Sequence, residues 1–251
     1  MLLALDTSTR LASIALYSGE RGLISEYTWH SSNQHTVELM PAIARMLAQA
    51  KMAPADLLAV AVALGPGSFT GLRVALAAGK GLAVARNLAL LGVPTLDVIA
   101  YPHRKAKCMK RGQPLPVIAL LQAGRGRVCW ASYTEEVEGP AVPTPYALDT
   151  LAGLMESITY PALFAGELES ADRARLAEHI VVGSRVASPA LASGRAGYLA
   201  EIAWGRFAAG GRDDPATLNP IYLARQGTPG LTPALERGAL PSQALGKGGK
   251  V

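Results

Sequence analysis

Charged residues, aromatic residues and cysteines are all scarce in this chain of 251 residues. Charged side chains make up 17% of it and aromatic side chains 6%, whereas half of the residues are hydrophobic. That balance excludes an intrinsically disordered chain and supplies enough apolar side chains for a sizeable core. The two cysteines, Cys108 and Cys129, are too few for a disulfide framework, so we expect a reducing, cytoplasmic environment.

Long hydrophobic runs and a basic N-terminal leader are also missing. The N-terminal sequence reaches a charge at Asp6, and Gly, Lys or Arg interrupts the longer apolar stretches well short of a bilayer span. We therefore expect no signal peptide and no membrane contact.

Residues for catalysis or metal binding do not occur in recognisable sets. No two of the four histidines are four residues apart, the spacing that places two imidazoles on one helix face. Ser68 lacks the Gly-x-Ser-x-Gly context of a nucleophile, because Thr70 stands two residues after it. Without paired carboxylates or a nucleophile–base pair, we expect no catalytic residue, no metal and no cofactor.

Positive charge is concentrated in one window. Residues 101–130 hold seven basic residues and no acidic one, in a chain of net charge +5: Arg104, Lys105, Lys107, Lys110, Arg111, Arg125 and Arg127. A solvated loop is one interpretation; a patch that attracts RNA phosphates or an acidic partner is the other. Because no aromatic residues alternate with these charges to stack on bases, any role in RNA binding would be auxiliary.

The hydrophobic pattern predicts the same order of elements twice. In the first half it predicts strands over Leu2–Asp6, Leu11–Tyr17, Leu23–Trp29, Leu57–Leu64 and Leu88–Val93, with helices around 35–50 and 68–86. In the second half it predicts strands over Leu115–Leu121, Arg127–Thr134, near Val142, Ala162–Ala165 and Ile180–Val182, with helices over Ala147–Glu156, 171–178 and Pro189–Ala209.

A repeated βββαβα order is the layout of the actin-like ATPase and sugar-kinase superfamily, two ribonuclease-H-like lobes around a cleft. We therefore predict an α/β fold with mixed sheets flanked by helices. The first lobe would span 1–102 and carry dimerisation helices, and a second, diverged lobe would span 103–215 and be closed by the long last helix. A return segment would cover 216–225 and a disordered tail 226–251.

One turn between a buried strand and a helix stands out. Gly65, Gly67 and Pro66 allow or fix unusual backbone conformations, and Ser68 is a good N-cap for the helix. The pattern is typical of a phosphate-binding helix N-terminus, but also of a tight turn before a capped helix. No Walker-type lysine follows, and Arg73 lies further into the helix.

Two predicted helices have faces suited to a partner. Small residues every four positions form a smooth ridge that a second helix could approach closely. The residues predicted to line such an interface are Leu72, Ala75, Gly79 and Ala83 on the second helix and Val37, Met40, Ala44 and Leu47 on the first. A helix wholly internal to the chain is the alternative.

The segment Gly65-Pro66-Gly67-Ser68-Phe69-Thr70-Gly71-Leu72-Arg73 closely resembles the signature of the TsaB (YeaZ) family. The opening Asp6-Thr7-Ser8, the helix around 35–47 and the late Pro220-Ile221-Tyr222-Leu223 match it at plausible positions, so the resemblance spans about residues 1–224. It is strongest in the first lobe. The family is a non-catalytic relative of TsaD, within the group once called glycoproteases.

The resemblance implies a scaffold role. Such a chain would bind TsaD through its two first-lobe helices, or pair with itself as a homodimer. The complex, with the ATPase TsaE, transfers threonylcarbamoyl from its adenylate to N6 of the tRNA adenosine 3′ of the anticodon. This chain would meet tRNA through the complex.

Departures from related active sites support that role. The two metal-ligand positions of TsaD fall on Ala100 and Arg104 here, and neither can hold a divalent metal. Asp6-Thr7-Ser8 would be a remnant of a nucleotide cleft, and the acid expected in the second lobe is Gln122. An actin-like ATPase using Asp6, or a glycoprotease-type metallohydrolase, remains as an alternative.

Overall fold

A computed structural model describes residues 1–32, 34–105, 109–110, 113–134, 142–192 and 196–223. Two mixed sheets, each covered by helices on both faces, form the two lobes. The predicted α/β architecture of the actin-like superfamily is therefore confirmed. In the described part of the chain, no helix combines the length and the apolar character needed to cross a bilayer. The predicted tail, 226–251, lies outside the described residues.

The first sheet follows the predicted order of elements closely. Its strands are β1 (Leu2–Asp6), β2 (Leu11–Ser18), β3 (Gly22–His30), β4 (Ala59–Ala63) and β5 (Ala89–Val93), with helices α1 (His35–Gln49) and α2 (Phe69–Arg86) and a 3-10 turn at Pro54–Asp56. The strand order is β3-β2-β1-β4-β5; β1 pairs antiparallel with β2 and parallel with β4. Every residue of β1, β4 and β5 is buried, which explains their continuous apolar runs.

The second half of the chain supplies the second sheet, a small separate strand pair and the remaining helices. In chain order these are α3 (Thr95–Lys105), β6 (Met109–Lys110), β7 (Gln113–Pro114), β8 (Val117–Gln122), β9 (Arg127–Thr134), β10 (Val142–Pro143), β11 (Ala147–Thr150), α4 (Leu151–Ser157), β12 (Leu163–Glu167), α5 (Ser170–His179), β13 (Arg185–Val186), α6 (Pro189–Ala192) and α7 (Ala196–Ala208). The strand order is β10-β9-β8-β12-β13, with β11 also paired to β9; β6 and β7 form a separate antiparallel pair.

Two helices pack on the sheet of the other lobe from the one to which the predicted boundary assigns them. Helix α3 straddles the predicted boundary at 102 and packs on the second sheet through Leu96, Ile99 and Ala100. The last helix, predicted to close the second lobe, instead packs on the first sheet. That sheet face is lined by alanines of β1, β2, β4 and β5, so the small residues of α7 can approach it closely.

Two further predictions in the second half are wrong in detail. Ala147–Thr150 is strand β11 rather than the first turn of a helix, because it pairs with β9, and Thr150 Oγ1 then caps α4 by accepting from Gly153 N at 3.0 Å. Ile180–Val182 is no strand; the pairing with β12 is made by Arg185–Val186. Within the predicted helix over Pro189–Ala209 the structure describes α6 and α7, and residues 193–195 lie outside the described residues.

Candidate functional site

The turn before α2 is a junction of four chain segments. Gly65 N donates to Thr95 Oγ1 at 3.1 Å, and Thr95 N donates back to Gly65 O at 2.8 Å, which ties the turn to the start of α3. Ser68 N donates to Ser8 O at 2.6 Å, and Ile221 N donates to Leu64 O at 2.7 Å. The turn therefore holds α2, the loop after β1, the interlobe helix and the late segment around Ile221 in fixed relation.

The glycines of this segment are needed for close backbone approach. A Cβ on Gly67 would collide with Ser8 O, and one on Gly71 would collide with Thr7 O. Gly65 has a φ of +103°, which side chains other than glycine rarely adopt. Of the two interpretations of the motif, the structure supports the tight turn before a capped helix, because the loop after β1 fills the space beside the glycines.

The predicted cleft remnant is engaged within the chain. Asp6, Thr7 and Ser8 are all buried. Asp6 Oδ1 accepts hydrogen bonds from Ser8 N at 2.9 Å and Ser8 Oγ at 2.6 Å, and Thr7 Oγ1 donates to Gly71 O at 2.7 Å. Burial raises the pKa of Asp6, against the opposing effect of its hydrogen bonds from Ser8. These groups hold the loop against α2.

Five of the eight predicted interface residues are inside the chain. Leu47, Leu72, Ala75, Gly79 and Ala83 are all buried. A Cβ on Gly79 would lie 2.6 Å from Val62 Cγ1 of β4. The small-residue ridge Gly71–Ala75–Gly79–Ala83 therefore faces the inside of the chain, with Gly71 against the loop after β1 and Gly79 against the sheet, and assigning it to a partner was wrong.

The opposite face of α2 is the one that is open. It carries Arg73, Ala77 and Gly81, again at steps of four, together with Val84, which is 72% exposed. A Cβ on Gly81 would meet nothing within 4 Å. The same spacing was visible in the sequence, but spacing alone does not tell which ridge faces the core.

Helix α1 presents an apolar stripe to solvent. Val37 is 65% exposed and Met40 49% exposed, and Pro41, Ala44 and Ala48 are also exposed. The buried side of the same helix carries Leu39, Ile43 and Met46 among others, so apolar side chains are on both sides. Only one side is needed for the chain's own core. We call the exposed residues of α1 together with Ala77, Gly81 and Val84 of α2 the two-helix face.

An aromatic and cationic cluster lies at the start of α2. The Arg73 guanidinium carbon is 3.8 Å from the centre of the Phe69 ring, and Arg73 Nε donates to Tyr222 Oη at 3.1 Å. The Phe69 and Tyr222 rings are 5.3 Å apart. Of the signature residues, Phe69, Thr70 and Arg73 thus point outward, whereas Ser68 Oγ caps the helix by accepting from Gly71 N at 3.2 Å.

A cleft of about 180 Å³ separates the lobes beside this cluster. Its polar lining comes from Gln122, Arg127, Cys129 and Tyr222, and its apolar lining includes Pro66, Leu121, Leu148, Ile221 and Leu223. Gln122 Nε2 donates to Asp172 Oδ2 at 3.1 Å. Burial raises the pKa of the Cys129 thiol to about 11, so the thiol is neutral at physiological pH and not an activated nucleophile.

One of the two positions that correspond to TsaD metal ligands, and two of the four histidines, have structural surroundings. Ala100 is buried under the second sheet. His35 contacts Ser31 Oγ at 2.5 Å and Thr9 O at 3.1 Å, and His103 contacts Leu191 O at 3.1 Å. Within the described ranges no three His, Cys, Asp or Glu side chains are grouped as metal ligands. Of the basic window, Lys107 and Arg111 lie outside the described residues.

The two mixed sheets with their helices form two lobes, and the glycine turn before α2 is hydrogen-bonded to the start of α3. This arrangement is that of a two-lobed protein of the actin-like superfamily. A family model described as "TsaD: tRNA N6-adenosine threonylcarbamoyltransferase" matches residues 23–191. The solved structure of YeaZ from Pseudomonas aeruginosa superposes with a TM-score of 0.70 at 25% identity, covering 88% of this chain and 99% of that one. The chain belongs to the family of that model and, within it, to the TsaB (YeaZ) group.

Curated relatives match over different lengths. The tRNA threonylcarbamoyladenosine biosynthesis protein TsaB of Escherichia coli K12 is 31% identical over 138 residues, which cover 55% of this chain and 57% of that protein. The TsaB protein of Buchnera aphidicola (Schizaphis graminum) is 29% identical over 133 residues, 53% of this chain and 60% of the relative. The chain thus spans less than two thirds of these relatives. An uncharacterised protein of Mycobacterium tuberculosis is 32% identical over 229 residues, 89% of this chain and 92% of that protein.

Proposed function

We propose that this chain is a non-catalytic scaffold subunit in the synthesis of N6-threonylcarbamoyladenosine on tRNA. The observation that carries the proposal is the two-helix face, an apolar surface on α1 and α2 beyond what the chain's own core requires. Its partner would be a TsaD-type subunit, which transfers threonylcarbamoyl from its adenylate to the adenosine 3′ of the anticodon. The ATPase TsaE would complete the complex in the cytoplasm.

The chemistry of the face suits a helix pair from a related subunit. Gly81 and Ala77 allow close approach of a partner helix, and Val37, Met40 and Val84 supply bulk on either side. Interfaces of this kind are apolar at the centre and charged at the rim. Arg45, which is exposed on α1, fits the rim. In the absence of the TsaD-type subunit the same face would pair with its copy, giving a homodimer.

The internal engagement of Asp6 and Ser8 weighs against the actin-like ATPase alternative. Ser8 O accepts from the N-terminus of α2, and the Asp6 carboxylate accepts from Ser8, so both groups hold the loop in place. A rigid loop suits a scaffold, because it fixes the angle at which α2 leaves the sheet.

The proposal is tested by placing a bulky side chain on the two-helix face. We expect Gly81→Trp to weaken binding to the cognate TsaD-type subunit at least about tenfold and to lower tRNA modification by the reconstituted complex in parallel. Gly205→Trp on α7 is the matched control, because Gly205 is also an exposed helical glycine with nothing within 4 Å of an added Cβ.

Two outcomes would contradict this assignment. If Gly81→Trp binds the TsaD-type subunit as tightly as the unmodified chain, the two-helix face is not the contact surface. If the TsaD-type subunit modifies tRNA at the same rate without this chain, the scaffold role is wrong even where a complex forms.

A further inference from the structure

The cluster of Phe69, Arg73 and Tyr222 keeps aromatic surface exposed and held in place. Phe69 is 56% exposed and Tyr222 38% exposed, although burying either ring in the chain would remove its apolar surface from water. The guanidinium of Arg73 lies 3.8 Å from the Phe69 ring centre and 6.0 Å from that of Tyr222. The hydrogen bond to Tyr222 Oη bridges 149 positions of the sequence, so the rings are fixed relative to each other.

The interlobe cleft continues this aromatic surface inward. Tyr222 lines it on one side and Arg127 on another, and Pro66 and Leu148 supply apolar walls. Its volume of about 180 Å³ lies below the range of about 300–1,000 Å³ typical of sites for drug-sized ligands. A cleft of this size, with an aromatic ring in its lining, fits one flat ring system and not a whole nucleoside triphosphate.

Arginines lie in the cleft lining or on residues close to it. Arg127 lines it, Arg125 is exposed at the turn between β8 and β9, and Arg73 lies beside Tyr222. Two acids lie on residues next to this lining: Asp172 accepts from Gln122 Nε2, and Glu167 of β12 stands in register with Leu121. Exposed aromatic rings that alternate with arginines are the combination by which proteins hold single-stranded nucleic acid, through base stacking and phosphate contacts.

We propose that one unpaired base of an RNA strand stacks on Tyr222 and enters the interlobe cleft, with its flanking phosphates against Arg73 and Arg127. The proposal rests on the proposed function in one respect, that RNA is the substrate of the assembly. It assigns the contact to this chain itself, on a surface other than the two-helix face.

The test uses the full chain and a stem-loop RNA with 2-aminopurine in its single-stranded loop, at low salt. Stacking on Tyr222 should quench the 2-aminopurine fluorescence as protein is added, and a fully duplex RNA of equal length should bind at least about tenfold more weakly. Tyr222→Leu should weaken loop binding about tenfold or more and abolish the quench, and Phe69→Leu should act in the same direction. Arg127→Gln should weaken binding and reduce its salt dependence.

Matched controls separate this site from general effects. Tyr27→Leu removes a similarly exposed ring from β3, and Arg175→Gln removes an exposed arginine from α5; both should leave loop binding unchanged. Tyr222→Phe retains the ring, so it should retain most of the binding, and equal melting temperatures would show that the variants are folded.

Several results would overturn the proposal. No binding of the stem-loop at low salt, equal binding of loop and duplex, or insensitivity to Tyr222→Leu would each do so. Displacement of the loop by free adenosine monophosphate at similar concentrations would assign the cleft to a free nucleotide. Weaker assembly with the TsaD-type subunit in Tyr222→Leu, with RNA binding intact, would make the cluster a protein contact. Gly81→Trp should leave RNA binding by the free chain unchanged, so this test and that of the scaffold role fail independently.

Discussion

Gly79 and Gly81 lie two positions apart on α2, and we expect alanine to have opposite effects at these two sites. At Gly79 an added Cβ would lie 2.6 Å from Val62 Cγ1 and 3.6 Å from Leu90 Cδ1, because this glycine rests on the first sheet. At Gly81 nothing lies within 4 Å, because this glycine is on the exposed face.

The magnitudes follow from two contributions. Replacing a helical glycine by alanine adds about 1 kcal/mol of stability, and this gain is common to both sites. Overpacking against β4 costs about 1–3 kcal/mol, and this cost applies at Gly79 alone. We therefore expect Gly81→Ala to raise the free energy of unfolding by about 1 kcal/mol, and Gly79→Ala to lie about 1–3 kcal/mol below Gly81→Ala.

Urea unfolding of the two variants and the unmodified chain measures this difference. The midpoints should separate at an unchanged slope, which would show that the free energy of unfolding differs while the surface exposed on unfolding does not. Gly205→Ala on α7 is the positive control and should gain about as much as Gly81→Ala. If Gly79→Ala is as stable as Gly81→Ala, α2 is rotated relative to the sheet, and the ridge of Gly79 faces outward as its spacing first suggested.

Three further changes test other parts of the structure. Burial raises the pKa of Asp6, so the folded chain holds the carboxyl proton more tightly than the unfolded chain does. The free energy of unfolding should therefore fall as pH rises from about 4 through the raised pKa. Asp6→Asn should remove this fall in urea titrations across pH, and a variant with the same pH profile as the unmodified chain would refute the assignment to Asp6. Tyr133→Phe removes the 2.6 Å hydrogen bond that Tyr133 donates to Asp97 Oδ1. We expect the free energy of unfolding to fall by about 1–3 kcal/mol in the same assay, and an unchanged midpoint would mean that the bond is not made. Ser68→Ala removes the cap on Gly71 N and should lower stability by about 1 kcal/mol, with Ser68→Asn restoring most of it and no loss at all contradicting the capped helix.

The first lobe was predictable because its signals are local. Alternating or continuous apolar runs, a capped helix start and turn residues between them are all set by neighbours in the sequence. Helix α3 had a usable signal that Pro102 and the basic residues after it obscured. Its buried residues Leu96, Ile99, Ala100 and His103 fall at i, i+3, i+4 and i+7.

The exchange of α3 and α7 between the lobes could not be predicted in the same way. Which sheet a helix covers depends on how closely it can approach that sheet, and this depends on residues far away in the sequence. The alanines of β1 and β4 accept the alanine side of α7, and Tyr133 and Tyr146 hold Asp97 of α3 by hydrogen bonds of 2.6 and 2.8 Å. Likewise, nothing near Tyr222 in the sequence indicates that it bonds to Arg73.

The signature segment combines inward-facing and outward-facing residues, because an α-helix has 3.6 residues per turn and successive side chains point in different directions. Gly67 and Gly71 face the loop after β1, where any larger residue would collide with a carbonyl oxygen. Phe69 and Arg73 lie on the same turns, but their side chains are exposed to solvent. Substitutions of the inward set should therefore lower stability, and partner or RNA binding only as a consequence. Substitutions of the outward set should change binding at unchanged stability, so a paired measurement at each position separates what builds this turn from what it presents.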